Sequence, residues 1–221
     1  MSVYPCFLDF EASGLANGSY PIEVGWNLPS GEVKSFLIRP LPSWRYWDKR
    51  AEEEVHGISR KELMAQGVDA AEICAVLCAD LDGREVYADG GLFDAEWMGQ
   101  LLAAGKCPEP TFRLCGCAPD LFFPEMAFQV SDELQEAARK VAGQRHRAGN
   151  DVRWLVAWLR LGREAGYRAD VPKSARWHSE NPKPTKSKNE PIPPAPKPWN
   201  FSISQPSGIP RTVGKPPRQP A

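Results

Sequence analysis

Phe7-Leu8-Asp9-Phe10-Glu11-Ala12-Ser13-Gly14-Leu15 is the stretch on which the reading of this chain turns. The short apolar run Val3–Asp9 ends in an acid and reads as a buried strand. Asp9 and Glu11 are two apart in extended backbone, and alternation puts both side chains on one face. Two carboxylates held together repel each other unless a cation or a proton compensates. Hard oxygen donors of this kind suit Mg²⁺ or Mn²⁺. From this segment alone, an exposed strand end with two solvated acids reads equally well.

Working outward, Pro21–Trp26 and Val33–Ile38 are two further strands, separated by the turn Asn27-Leu28-Pro29-Ser30-Gly31. Three strands with tight connections predict an antiparallel meander. Helices are expected over Ala51–Val55, Arg60–Gln66 and Ala70–Leu81, the last with Asp69 as N-cap. Glu85–Tyr87 and Thr111–Cys115 read as short strands, and Phe93–Ala104 as a helix. Ser131–Val141 is expected to be helical, capped by Ser131 or Asp132. Gly149–Gly166 is amphipathic, with Val152, Leu155, Val156 and Leu159 on its apolar face. The resulting fold class is α/β, a mixed five-stranded sheet flanked by helices.

Two later segments bear on chemistry. Phe93-Asp94-Ala95-Glu96-Trp97 opens a helix after a short strand. An acid in a first helical turn is favoured by the helix dipole in any case, which makes a purely structural role for Asp94 the simpler reading of that segment. His146-Arg147-Ala148-Gly149-Asn150-Asp151 leads into the last helix. It offers an imidazole, suited to proton transfer near neutral pH, one loop before a carboxylate. A surface histidine and a capping aspartate explain this segment as well.

Together the three segments resemble the DEDDh family of 3′–5′ exonucleases, relatives of proofreading exonucleases and RNase T. Asp9-Phe10-Glu11 is similar to the first motif of that family, Phe93-Asp94 with Trp97 to the second, and His146-x-Ala-x-x-Asp151 to the third. Val55-His56-Gly57-Ile58-Ser59 resembles a stretch between the first two. The resemblance covers roughly residues 3–165 and implies a ribonuclease H-like fold. It implies two divalent metal ions, Mg or Mn, held by Asp9, Glu11, Asp94 and Asp151, with His146 accepting the proton of the attacking water. It further implies release of nucleoside 5′-monophosphates from single-stranded RNA or DNA 3′ ends. Ala12, Ser13, Gly14 and Leu15 would meet the terminal nucleotide, and His56 its sugar or phosphate; a histidine hydrogen-bonded in a loop is the other reading of His56. Where the family often carries asparagine, four residues before the second-motif acid, this chain has Gly90, with Asp89 beside it. That leaves Asp89 as a competitor to Asp94. The other reading of the whole is a non-catalytic nucleic-acid or protein-binding module of the same fold.

Composition frames these expectations. The chain has 221 residues, 42% of them hydrophobic, and a formal net charge of −1. Residues 1–171 carry 18 Lys and Arg against 26 Asp and Glu, whereas residues 172–221 carry 9 against 2. An acidic body does not clamp long nucleic acid by charge alone, but it is compatible with a carboxylate-rich metal site. The domain expectation is therefore an exonuclease domain over 1–170 and a disordered, basic tail over 171–221 with 13 prolines. Trp177, Trp199 and Phe201 would dock a protein partner; a plain spacer is the favoured reading. The resemblance also admits a homodimer, with no patch marking its interface. Trp44, Tyr46 and Trp47, interleaved with Arg45, Lys49 and Arg50, either stack bases or pack a loop onto the body. The six cysteines form no CxxC pair and read as reduced structural thiols. With no membrane-length apolar run and no secretory signal, the expected location is cytoplasmic.

Overall fold

In strand β1 (Cys6–Ala12), Cys6, Leu8, Phe10 and Ala12 point to one side of the sheet and Phe7 joins the core on the other. Asp9 and Glu11 share the side of Phe7 by the same alternation. The computed structural model of the chain describes residues 3–169 apart from 89, 91, 108, 109, 117–121 and 124. These belong to the first of two units into which the chain divides, Met1–Trp177. The tail expectation, and those for Asp89 and Cys117, lie outside the described residues.

The expected meander is present. Strand β2 (Pro21–Asn27) pairs antiparallel with β1 and with β3 (Val33–Leu37). Strands β4 (Glu85–Ala88) and β5 (Arg113–Gly116) add parallel to the other edge of β1, giving the order β3-β2-β1-β4-β5. The sheet is thus mixed and ribonuclease H-like, as the sequence led one to expect.

Helices cover both faces. Helices α3 (Ala70–Leu81) and α4 (Leu92–Gly105) close one core, where Ile73, Leu77 and Leu101 meet Leu8, Val24 and Trp26. Helices α5 (Phe128–Ala142) and α6 (Ala148–Glu164) close the other, where Val152, Leu155 and Trp158 meet Phe7 and Tyr87. Each large side chain so buried contributes on the order of 1.5–3 kcal/mol by removal from water.

Several expected boundaries move, each for a local reason. Strand β1 starts at Cys6 rather than Val3 and runs on to Ala12, so both acids lie within the ladder. The amide of Phe7 donates to Asn27 Oδ1 at 2.7 Å, and Asn27 in turn grips the Pro5 carbonyl at 2.9 Å. The buried asparagine thus fixes the strand's entry. The helix expected over Ala51–Val55 is one turn of α-helix, α1 (Lys49–Ala51), followed by a π-helical turn, Glu52–His56, that Gly57 ends with φ 68°. Asp48 caps α1 through the amides of Arg50 and Ala51. Helix α2 (Arg60–Gln66) has the expected bounds, with Ser59 capping the Glu62 amide at 3.1 Å. Asp69 occupies the N-cap position of α3 but makes no capping bond; its carboxylate pairs with Arg39 at 3.2 Å. Helix α5 begins one turn early, at Phe128 after Ala127, which leaves Ser131 inside the helix, and α6 runs from Ala148 to Glu164. Five cysteines, Cys6, Cys74, Cys78, Cys107 and Cys115, are free thiols.

Candidate active site

Small residues let the start of α6 lie almost on the sheet. In the register, Asp9 of β1 faces Gly25 of β2, and Gly25 faces Ser35 of β3. A β-carbon on Gly25 would come within 2.7 Å of the Ala148 carbonyl carbon and the Gly149 nitrogen. One on Gly149 would meet Ser35 Oγ at 2.7 Å. This backbone contact carries Asp151, in the first turn of α6, down to the strand that holds Asp9 and Glu11.

The three carboxylates converge. One oxygen each from Asp9, Glu11 and Asp151 lies within 4.8 Å of the others. Glu11 is buried. Burial first, then the carboxylates of Asp151, Glu23 and Asp94, push its pKa up to about 8, against the opposing pull of Arg147. The clustered negative charge favours a proton or a cation beside Glu11. The site's all-oxygen donor set fits a hard divalent ion.

Asp94 stands in the first turn of α4, 1% exposed, and its charge acts on Glu11. It is not one of the three converging acids; its Oδ2 accepts from the Gly90 amide at 2.9 Å. A β-carbon on Gly90 would lie 2.5 Å from that oxygen, so the glycine at this place and the position of Asp94 go together.

The loop before α6 presents His146 to solvent in the left-handed region, φ 59°. That conformation is uncommon for a residue with a side chain and tends to persist only where its surroundings impose it. His56 differs in every respect. It is 2% exposed, its Nδ1 accepts from the Ile58 amide at 3.0 Å, and its Nε2 has no hydrogen-bond partner among the described residues. Burial chiefly depresses its pKa to about 4, with Arg147 and His146 adding to the effect against Glu52 and Asp48.

The segment after β1 is held by its own chain. Ser13 is buried: its amide donates to the Tyr20 carbonyl, its Oγ accepts from the Tyr20 amide, and its carbonyl accepts from the Asp48 amide. Ala12 is buried, Gly14 adopts φ 146° against Tyr46 and Asp48, and Leu15 is 70% exposed. The aromatic cluster packs a loop onto the body. Trp44 stacks on Tyr20 with centroids 5.1 Å apart, and Trp47 meets Tyr20 and the edge of His56.

Two arginines and an acid to which the sequence assigns no role also belong to the site. Arg139 of α5 pairs with Asp151 at 2.6 Å and lies over the Trp154 ring. Arg147 pairs with Glu23, which is buried in β2 directly opposite Glu11. A charge at the centre of the apolar strand Pro21–Asn27 was the available signal for Glu23.

Solved structures share this arrangement of strands and helices. A structure of exonuclease I that addresses how processivity is achieved matches with a TM-score of 0.54 and 15% identity, over 73% of this chain and 41% of that one. The chain shares the fold of the part of exonuclease I that it matches. Among other matches, E. coli exonuclease I in complex with a dT13 oligonucleotide gives a TM-score of 0.52 at 15% identity, over 72% and 41%. A moderately thermophilic exonuclease I from Methylocaldum szegediense gives 0.51 at 17%, over 72% and 40%. The chain therefore spans about two fifths of the length of these proteins that share the exonuclease fold. No family model and no curated protein matches the chain.

Proposed function

We propose that the chain is a metal-dependent 3′–5′ exonuclease acting on single-stranded nucleic acid. The observation that carries this reading is the convergence of Asp9, Glu11 and Asp151, with Glu11 driven toward a proton it would exchange for a cation. These three acids, with Asp94 as the fourth, would hold two Mg²⁺ or Mn²⁺ ions. Bound there, the ions would neutralise the phosphate and acidify the attacking water. His146, exposed just before the helix that carries Asp151, takes the water's proton on a ring nitrogen. His56 stays neutral with its proton on Nε2, because Nδ1 is already an acceptor; that N–H is assigned to the terminal nucleotide. Gly14 and Leu15 border the same end of β1, and the exposed Leu15 is assigned to the terminal base. The dT13 complex of E. coli exonuclease I makes single-stranded DNA the first substrate to try.

The test uses 5′-labelled single-stranded DNA and RNA of one sequence, with Mg²⁺ or Mn²⁺ and with a chelator. A ladder shortening from the 3′ end is expected, dependent on metal and lost in the Asp9→Ala, Glu11→Ala double variant. Intact strands under every metal, with folded protein, would remove the catalytic reading and favour a binding module of the same fold.

A further inference from the structure

Glu23 sits at a junction that the four acids and His146 do not explain. It is 4% exposed, inside a sheet, and directly opposite Glu11. A carboxylate there adds to the repulsion on Glu11, so it needs a compensating role. Among the described residues, its side-chain hydrogen bonds run to one place, the turn between His146 and α6. Arg147 Nε donates to Oε2 at 2.9 Å and its Nη2 to Oε1 at 3.2 Å, a two-pronged pair. The Ala148 amide, the first of α6, donates to Oε2 at 3.1 Å. Arg147 is the N-cap residue of α6 and offers no side-chain cap of its own. Glu23 therefore caps α6 from a strand 125 residues away in sequence.

The residue just before this clamp is His146, with its left-handed backbone. The far side of the turn is tied too: the Arg147 amide donates to Asp151 Oδ2 at 3.3 Å, and Asn150 Nδ2 donates to the Gln144 carbonyl at 3.0 Å. We infer that Glu23 is a positioning residue, whose grip on Arg147 and the Ala148 amide forces the strained His146 turn and so sets where the imidazole stands relative to Asp9, Glu11 and Asp151. The inference rests on the exonuclease reading for its effect on turnover, though not for its effect on the turn. Misplacing a proton acceptor by about 1 Å can cost on the order of 10²-fold in rate.

Two variants test it. Glu23→Gln keeps an acceptor for the Ala148 amide and loses the charge. Arg147→Lys keeps the charge and loses the fork, at a side chain one third exposed and so tolerant of change. Both are measured for melting, for kcat and KM on a short single strand, and for the ¹⁵N resonances of the His146 ring. The expected result is a cooperative melt, a kcat lowered by about 10- to 100-fold with KM within about threefold, and a shifted, broadened His146 signal. In the Glu23→Gln, His146→Ala double variant the Glu23 change should cost almost nothing further, because its effect passes through His146. A folded Glu23→Gln protein with wild-type kcat, or a loss that multiplies with that of His146→Ala, would overturn the inference. If the wild-type chain shows no turnover, the exonuclease reading fails separately. The His146 resonances then decide: altered in both variants they support the clamp, and unchanged in both they overturn it. Should Glu23→Gln not fold, Arg147→Lys carries the same comparison.

Discussion

Burial and three neighbouring carboxylates hold a proton on Glu11 up to about pH 8. The unfolded chain releases that proton near the ordinary carboxylate value of about 4.3. Between these limits the folded state binds more protons than the unfolded one, so stability falls as pH rises. The contribution is fully present below about 4.3 and is lost through about 8. Metal-free protein is expected to melt at progressively lower temperature across this window. Glu11→Gln, melted in parallel, should show a weaker decline and exceed the wild type above pH 8. Added Mn²⁺ should raise the wild-type melting temperature at high pH and the Glu11→Gln one much less; equal gains would place the ion elsewhere. His56 follows the opposite sign. Its depressed pKa, about 4, gives stability that is present above the ordinary histidine value and lost as pH falls toward 4. An NMR titration of the His56 ring should find the neutral form protonated on Nε2 and a midpoint near 4. A midpoint near 6.5 would mean that the ring is not held in its buried place.

At the scale of elements, the site depends on how closely α6 approaches β1 and β2. Gly25 sets that distance, since any β-carbon there collides with backbone atoms of Ala148 and Gly149 that have no rotamer to change. Gly25→Ala is expected to push the start of α6 away from the sheet, at a cost of about 1–3 kcal/mol in urea unfolding. It should also lower cleavage well beyond the loss in folded fraction, because Asp151 moves with the helix. A Gly25→Ala protein as stable as the wild type would show that the helix start can yield freely. Arg139 adds a second tie, from α5 to Asp151 at 2.6 Å. It offsets part of the acid charge, and it links the helix pair to the site.

At the scale of the whole molecule, the cores on both faces of the sheet and the three converging acids come from residues 3–169. A chain ending at residue 171 is expected to keep its cooperative melt and the proposed metal-dependent cleavage of short strands. Circular dichroism and the labelled-strand assay check this; loss of folding would show that residues beyond 171 complete the core. Weaker capture of a protein partner, with turnover retained, would assign the basic segment to recruitment. Among the described residues no helix is long and apolar enough to cross a membrane.

Periodicity is a local property, and it made the five strands, the meander and the principal helices readable from the chain alone. The spacing of Asp9 and Glu11 placed both acids on one face for the same reason: neighbours in a strand cannot avoid that relation. Their partnership with Asp151 could be anticipated from motif resemblance. Its closeness could not, because it depends on Gly25, Ala148 and Gly149 letting two backbones touch. Glu23 and Arg139 received no role from the sequence, and Arg147 stood inside the third segment with no role of its own. Glu23 reaches its partners across 124 and 125 residues, and no local pattern records a contact of that span. The sequence by itself determined which residues alternate, cap and turn. Only the tertiary structure decided which charges meet, because desolvation and Coulomb interaction depend on distance in space and not on separation along the chain.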